Sequence, residues 1–125
     1  MTQLATPDAL GLDPLPPGIE IKTTEPPNVE IHMADGIFIK QMWIRNARTF
    51  IPQHVHDYDH TSMLARGSVF LWKDGKLDRR YEAPTGILIK AGVRHMFLSL
   101  EDDTIIYCIH QEAHAMQFAD IADAK

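Results

Sequence analysis

The chain has a single cysteine in 125 residues, Cys108, so an intrachain disulfide is impossible. It has no apolar run approaching the roughly 20 residues that a membrane helix needs. Its N-terminal stretch, MTQLATPDALGLDPLPPG, has no basic region followed by an apolar one, so no signal peptide is expected. An excess of positive charge is missing too. Twelve Lys and Arg stand against 17 Asp and Glu, a net charge of -5, which argues against nucleic acid or an anionic membrane as the main partner. These absences fit a cytoplasmic setting. The length fits one domain with a real core.

Proline is present but unevenly placed. Pro7, Pro14, Pro16, Pro17, Pro26 and Pro27 all fall within residues 1–28. Proline removes a backbone donor and clashes with the preceding turn, so this segment cannot be a continuous helix. It reads as an extended arm, with one short strand over Ile19-Glu20-Ile21-Lys22. Residues 29–125 then form one domain. Gly36 to Ile44, Ser68 to Trp72, Leu77 to Tyr81, Gly86 to Ile89, His95 to Leu98 and Thr104 to Ile109 are rich in β-branched and aromatic residues. Turn signals separate them, and Asp74-Gly75 is a strong hairpin signal. Short strands at this spacing predict an all-β sandwich or barrel. Only Glu112 to Ala124 reads as a helix.

Four histidines carry the chemistry. His54, His56 and His60 lie within PQHVHDYDH, and His95 follows 35 residues after His60. Imidazole is a common metal ligand because its neutral ring nitrogen is a good donor near neutral pH. Residues two apart on a strand share a face, so His54 and His56 can aim at one point. A turn through Asp57-Tyr58-Asp59 can bring His60 to that point, and the fold must supply His95. Asp57 or Asp59 is the rival for the fourth position, giving two histidines and a carboxylate.

These residues resemble the cupin family of small jelly-roll barrels. Its first motif is two histidines one residue apart, a glutamate after three or four residues, and a glycine after six more. His54, His56 and Gly67 match, and His60 stands at the glutamate position. Its second motif has a glycine, two residues and a histidine, matched by Gly92 and His95. The chain departs at Arg48 and Lys90, where the family pattern has glycine and proline, and at Ser99, where it has asparagine. The resemblance spans about residues 36–111. It implies an all-β jelly-roll barrel with an extended N-terminal arm and a short C-terminal helix. It favours His60 over the aspartates, giving a four-histidine site.

Imidazole donors suit zinc, copper, iron or nickel, and the resemblance to cupins, which often hold iron or manganese, implies one divalent transition metal: iron, manganese, nickel or zinc. An octahedral ion would keep two open positions for a small-molecule substrate. The expected activity is that of a metal-dependent dioxygenase or other oxidoreductase. A metal-dependent lyase or isomerase, or a non-catalytic small-molecule-binding protein, is the alternative. Alternation along the strands places Ser62 and Leu64 with His60, and Phe97 and Ser99 with His95. Trp43, Ser62, Leu64 and Phe97 are the expected pocket lining, and Tyr58 the proton donor. For the last strand, either Cys108 and His110 or Tyr107, Ile109 and Gln111 point inward. The arm and the strand near Val29 have little to bury against within a small barrel, so a homodimer is expected.

Overall fold

The computed structural model describes residues 6–52 and 59–111. Among the described residues there are nine strands: β1 (Asn28–Ala34), β2 (Ile37–Ile44), β3 (Phe50–Pro52), β4 (His60–Arg66), β5 (Ser68–Lys73), β6 (Lys76–Glu82), β7 (Thr85–Ile89), β8 (His95–Ser99) and β9 (Thr104–Gln111). They form a five-stranded sheet, β1-β2-β9-β4-β7, and a four-stranded sheet, β3-β8-β5-β6. Every pairing between them is antiparallel. The result is the expected all-β jelly roll. The helix expected over 112–124 lies outside the described residues. Among the described residues, no helix is long and apolar enough to cross a membrane.

Turn chemistry sets the hairpins. Asp35-Gly36 and Asp74-Gly75 hold φ of 52° and 78°, and 50° and 84°. Two consecutive positive φ values match the right-handed twist of the flanking strands, so β1–β2 and β5–β6 close tightly.

Side-chain alternation then decides what is inside. Along β4, His60, Ser62 and Leu64 are buried while Thr61, Met63 and Ala65 are exposed. Along β2, Phe38, Lys40, Met42 and Ile44 are buried and the residues between them are not. The inner faces of the two sheets meet in a core of Met42, Ile44, Ile51, Leu64, Val69, Leu71, Ile87, Phe97 and Ile106. Each such side chain contributes about 1.5–3 kcal/mol on burial.

A second core lies on the outer face of the four-stranded sheet. Phe50, Phe70, Trp72, Met96 and Leu98 point away from the barrel interior, and Leu12 and Ile21 of the arm cover them. Two polar clips hold the arm there. Asp13 donates its N–H to Gly75 O at 2.7 Å, its carbonyl accepts from Trp72 Nε1 at 3.0 Å, and its carboxylate accepts from Leu77 N at 3.0 Å. Further along, Lys22 N and Thr23 N donate to Arg48 O, and Phe50 N donates to Thr23 O. The arm therefore does bury against its own barrel, contrary to the sequence expectation. The short strand expected over residues 19–22 does not form; Thr23 makes one isolated parallel bridge to Thr49 instead. The prolines are compatible with this, because the backbone donors that dock the arm belong to Asp13, Lys22 and Thr23, which lie between them.

Gly67 links β4 to β5 at φ 89°, and a Cβ there would lie 2.4 Å from Thr104 Oγ1 and 3.1 Å from Thr104 Cα. The position needs both a left-handed backbone and the absence of a side chain. Gly67→Ala is expected to cost about 2 kcal/mol of stability, read as a lower urea midpoint with unchanged slope. A loss below about 0.5 kcal/mol, the usual range for a neutral surface change, would refute the close approach.

Candidate functional site

His60 begins β4 and His95 begins β8, so the two histidines stand on facing sheets at the same end of the barrel. His95 is 0% exposed and His60 is also buried. Their ring centroids are 5.2 Å apart with an interplanar angle of 52°. A ring whose nitrogen lies about 2.1 Å from an ion has its centroid about 3.2 Å away. Two such rings at 90–110° would have centroids about 4.5–5.3 Å apart. The observed spacing therefore fits two imidazoles sharing one divalent ion, and the donor chemistry suits zinc, iron, nickel or copper. His54, His56, Asp57 and Tyr58 lie outside the described residues. Among the described residues, no group of three or more metal-ligating side chains gathers.

Asp59, a rival ligand, is occupied elsewhere. It is exposed, and its carboxylate accepts from Ala91 N at 2.7 Å and lies 3.7 Å from Lys90 Nζ. It fastens the start of β4 to the turn before β8. Lys90, at the position where the cupin pattern has proline, is one of its partners. This carboxylate positions the histidine strands from outside.

The expected pocket residues divide. Ser62 is fully buried, and its Oγ lies 3.8 Å from Cys108 Sγ in a hydrogen bond. Leu64, one step deeper, belongs to the apolar floor. Phe97 meets His95 edge-on, with centroids 5.7 Å apart at 80°. Trp43 is a correction. It lies on the outer face of β2, where its Nε1 donates to Asp103 Oδ1 at 3.0 Å and the Arg45 guanidinium sits 4.1 Å over its ring. An indole half-exposed beside an arginine and an aspartate is satisfied at the surface, so it does not line the barrel interior. Ser99 is buried but structural: it accepts from Thr49 N and donates to Asn46 O.

On β9 the inward set is Cys108 and His110, and Tyr107 faces out to donate to Gln41 Oε1 at 2.8 Å. His110 stacks on Phe38, with centroids 4.5 Å apart at 21°. Lys40, which shares a strand face with Met42, is inward although it was not among the expected pocket residues. It is 3% exposed and sits opposite Cys108 in the β2–β9 pairing. Its place could have been found from its two-residue spacing to Met42, had the inner face of β2 been known.

The barrel interior thus has two levels. Leu64, Met42, Ile106 and Phe97 form a dry floor. Above them lie His60, Ser62, Lys40, His95, Cys108 and His110. A polar upper layer on an apolar floor is the usual make-up of a small-molecule site.

No protein-family model and no curated protein matches the sequence. Solved structures do resemble it. A conserved protein with a double-stranded beta-helix domain from Klebsiella pneumoniae has a TM-score of 0.61 at 14% identity, covering 92% of this chain and 94% of that one. KdgF from Halomonas sp. has a TM-score of 0.57 at 15% identity, covering 80% and 85%. An RmlC-like cupin family protein from Methanocaldococcus jannaschii has a TM-score of 0.56 at 13% identity, covering 66% and 77%. At these identities the likeness concerns architecture, and the architecture is the double-stranded β-helix of the cupins.

Proposed function

We propose that this chain is a metal-dependent cupin-fold protein that acts on a small organic molecule held in its barrel, and that its chemistry is oxidative and of dioxygenase type. The observation that carries the reading is the convergence of buried His60 and His95 from facing sheets, 5.2 Å apart. His54 and His56 complete the ligand set by their motif spacing. A divalent iron or manganese ion held there would supply Lewis acidity and redox chemistry. The chain's own part is to hold and enclose. Phe97 and Leu64 exclude water from beneath, and the Ser62–Cys108 pair offers a hydroxyl and a thiol at the cavity wall. Tyr58 is the proton donor in this reading.

Elemental analysis of protein purified without added ions tests the site. His95→Ala and His60→Ala are each expected to lose most of the metal and the stabilisation it provides, about 2.7 kcal/mol at a hundredfold excess over the dissociation constant. Unchanged metal content in both variants would refute the assignment. An oxygen electrode tests the chemistry. The iron or manganese form is expected to consume dioxygen with a diketone, a catechol-like compound or a hydroxy acid, and His95→Ala to abolish uptake. Turnover under strict anaerobiosis would favour a lyase or isomerase instead. Redox-inert zinc at full occupancy, with no turnover at all, would favour a binding protein.

The assembly proposed with this function is a two-fold homodimer through the outer face of the five-stranded sheet. That face carries Ile39, Ile105, Tyr107 and Ile109, with Met63 37% and Leu88 51% exposed. The opposite outer face is already sealed by the arm. Light scattering is expected to give twice the chain mass of 14.2 kDa, and Leu88→Glu with Met63→Lys to halve it. A monomeric parent at micromolar concentration would refute the dimer.

A further inference from the structure

The inner face of the five-stranded sheet is left bare at its β1 edge. Val29, Ile31 and Met33 stand opposite Met42, Lys40 and Phe38 of β2, and directly opposite residues share a face. Since Phe38, Lys40 and Met42 are buried, the three β1 residues continue the inner face outwards. Val29 still packs against the core. Ile31 is 38% and Met33 56% exposed, so the apolar row opens towards the end of the barrel where His60 and His95 stand. The other face of β1 carries Glu30 and His32, whose carboxylate and imidazole lie 3.6 Å apart. Such alternation is that of a strand with one face covered and one in water. A single exposed apolar residue needs no explanation, but a row continuous with the core does.

The chain leaves β9 beside this row. Gln111 stands opposite Ile37, and Ile37 opposite Ala34. Two strand spacings, about 10 Å, separate the end of β9 from the end of β1, a gap that about three extended residues cross. Residues 112–125, EAHAMQFADIADAK, follow Gln111. After the crossing, about eleven remain, or about 16 Å as a helix. The row from Val29 to Met33 is about 13 Å long. Ala115, Phe118, Ala119 and Ala122 recur at the spacing of one helix face. Three small side chains let such a face lie close to a sheet, and Phe118 supplies the large apolar area. A short tether also gives the segment an effective concentration of about a millimolar, well above that of a second copy at micromolar protein.

We propose that Val29, Ile31 and Met33 are the docking surface for residues 115–122 of the same chain, with Phe118 seated against Ile31 and Met33. This is independent of the metal reading, since none of these residues is a candidate ligand. Seated there, the segment covers the inner face of β1 as the arm covers the outer face of the four-stranded sheet.

Thiol labelling of the full chain tests the docking. Met33→Cys and, separately, Ile31→Cys put a thiol on the covered face, and Glu30→Cys puts one on the outer face of the same strand. Mass analysis of the labelled peptides separates each from the peptide bearing Cys108. Both inner-face thiols are expected to react with a maleimide about tenfold more slowly than the one at position 30, because the segment must open first. Adding Phe118→Asp is expected to bring the rates together. Equal rates at positions 30, 31 and 33 without that change overturn the docking, and so does protection that Phe118→Asp leaves unaltered. Protection that grows with protein concentration overturns it as well and seats a second copy on the row instead. Should Phe118→Asp fail to fold, Phe118→Ala is read in the same way.

Discussion

The two-residue period of strand side chains is the constraint on which the interior depends. On β4 it takes His60, Ser62 and Leu64 inward together, so one seven-residue strand supplies a candidate ligand, a hydroxyl and a piece of floor. On β2 the same period pairs Lys40 with Met42 and Ile44. The polar upper layer and the apolar lower one are therefore not separate constructions. They are successive rungs of the same ladders, and a register slip of one residue would exchange both layers for the exposed face. Asp59, tying β4 to the Lys90–Ala91 turn, guards against that slip at the end where the histidines stand.

Much of the fold was legible because its signals are local. Asp-Gly hairpins, short β-rich runs and the motif glycine at position 67 depend on residues close in the chain. The candidate site was legible in part for the same reason, since alternation from His60 carries Ser62 and Leu64 with it. Trp43 shows where that logic stops. The two faces of β2 are almost equally apolar, with Phe38, Met42 and Ile44 on one and Ile37, Ile39 and Trp43 on the other. The only polar tie-break is Lys40 against Gln41, and it points the wrong way, because a lysine is the last residue expected inside. The covered outer face of the four-stranded sheet was likewise invisible, since it needs the arm, 30 or more residues away in sequence, to make Phe70 and Trp72 interior residues.

Arg48 is instructive about motif departures. The cupin pattern has glycine there, and Arg48 adopts φ 64°, the left-handed region that glycine enters without cost. The backbone requirement persists although the residue that relaxes it is gone. The position still performs its structural work: Arg48 N donates to Ser99 O, and its carbonyl receives the arm at Lys22 and Thr23. Docking the arm and holding β8 thus compensate a strained residue. The lack of the family glycine is accordingly no argument against the fold.

The arm also sets a valency. A two-sheet sandwich has two outer faces, and if both were apolar and open each copy could adhere on either side, so association would propagate into stacks. Here Leu12 and Ile21 close one of them from within the same chain. Among the described residues, the face bearing Met63 and Leu88 is left uncovered. In the dimer proposed above, a particle adhesive on one side alone would end its own growth at the first encounter, so a segment remote from His60 and His95 would determine how large the assemblies become.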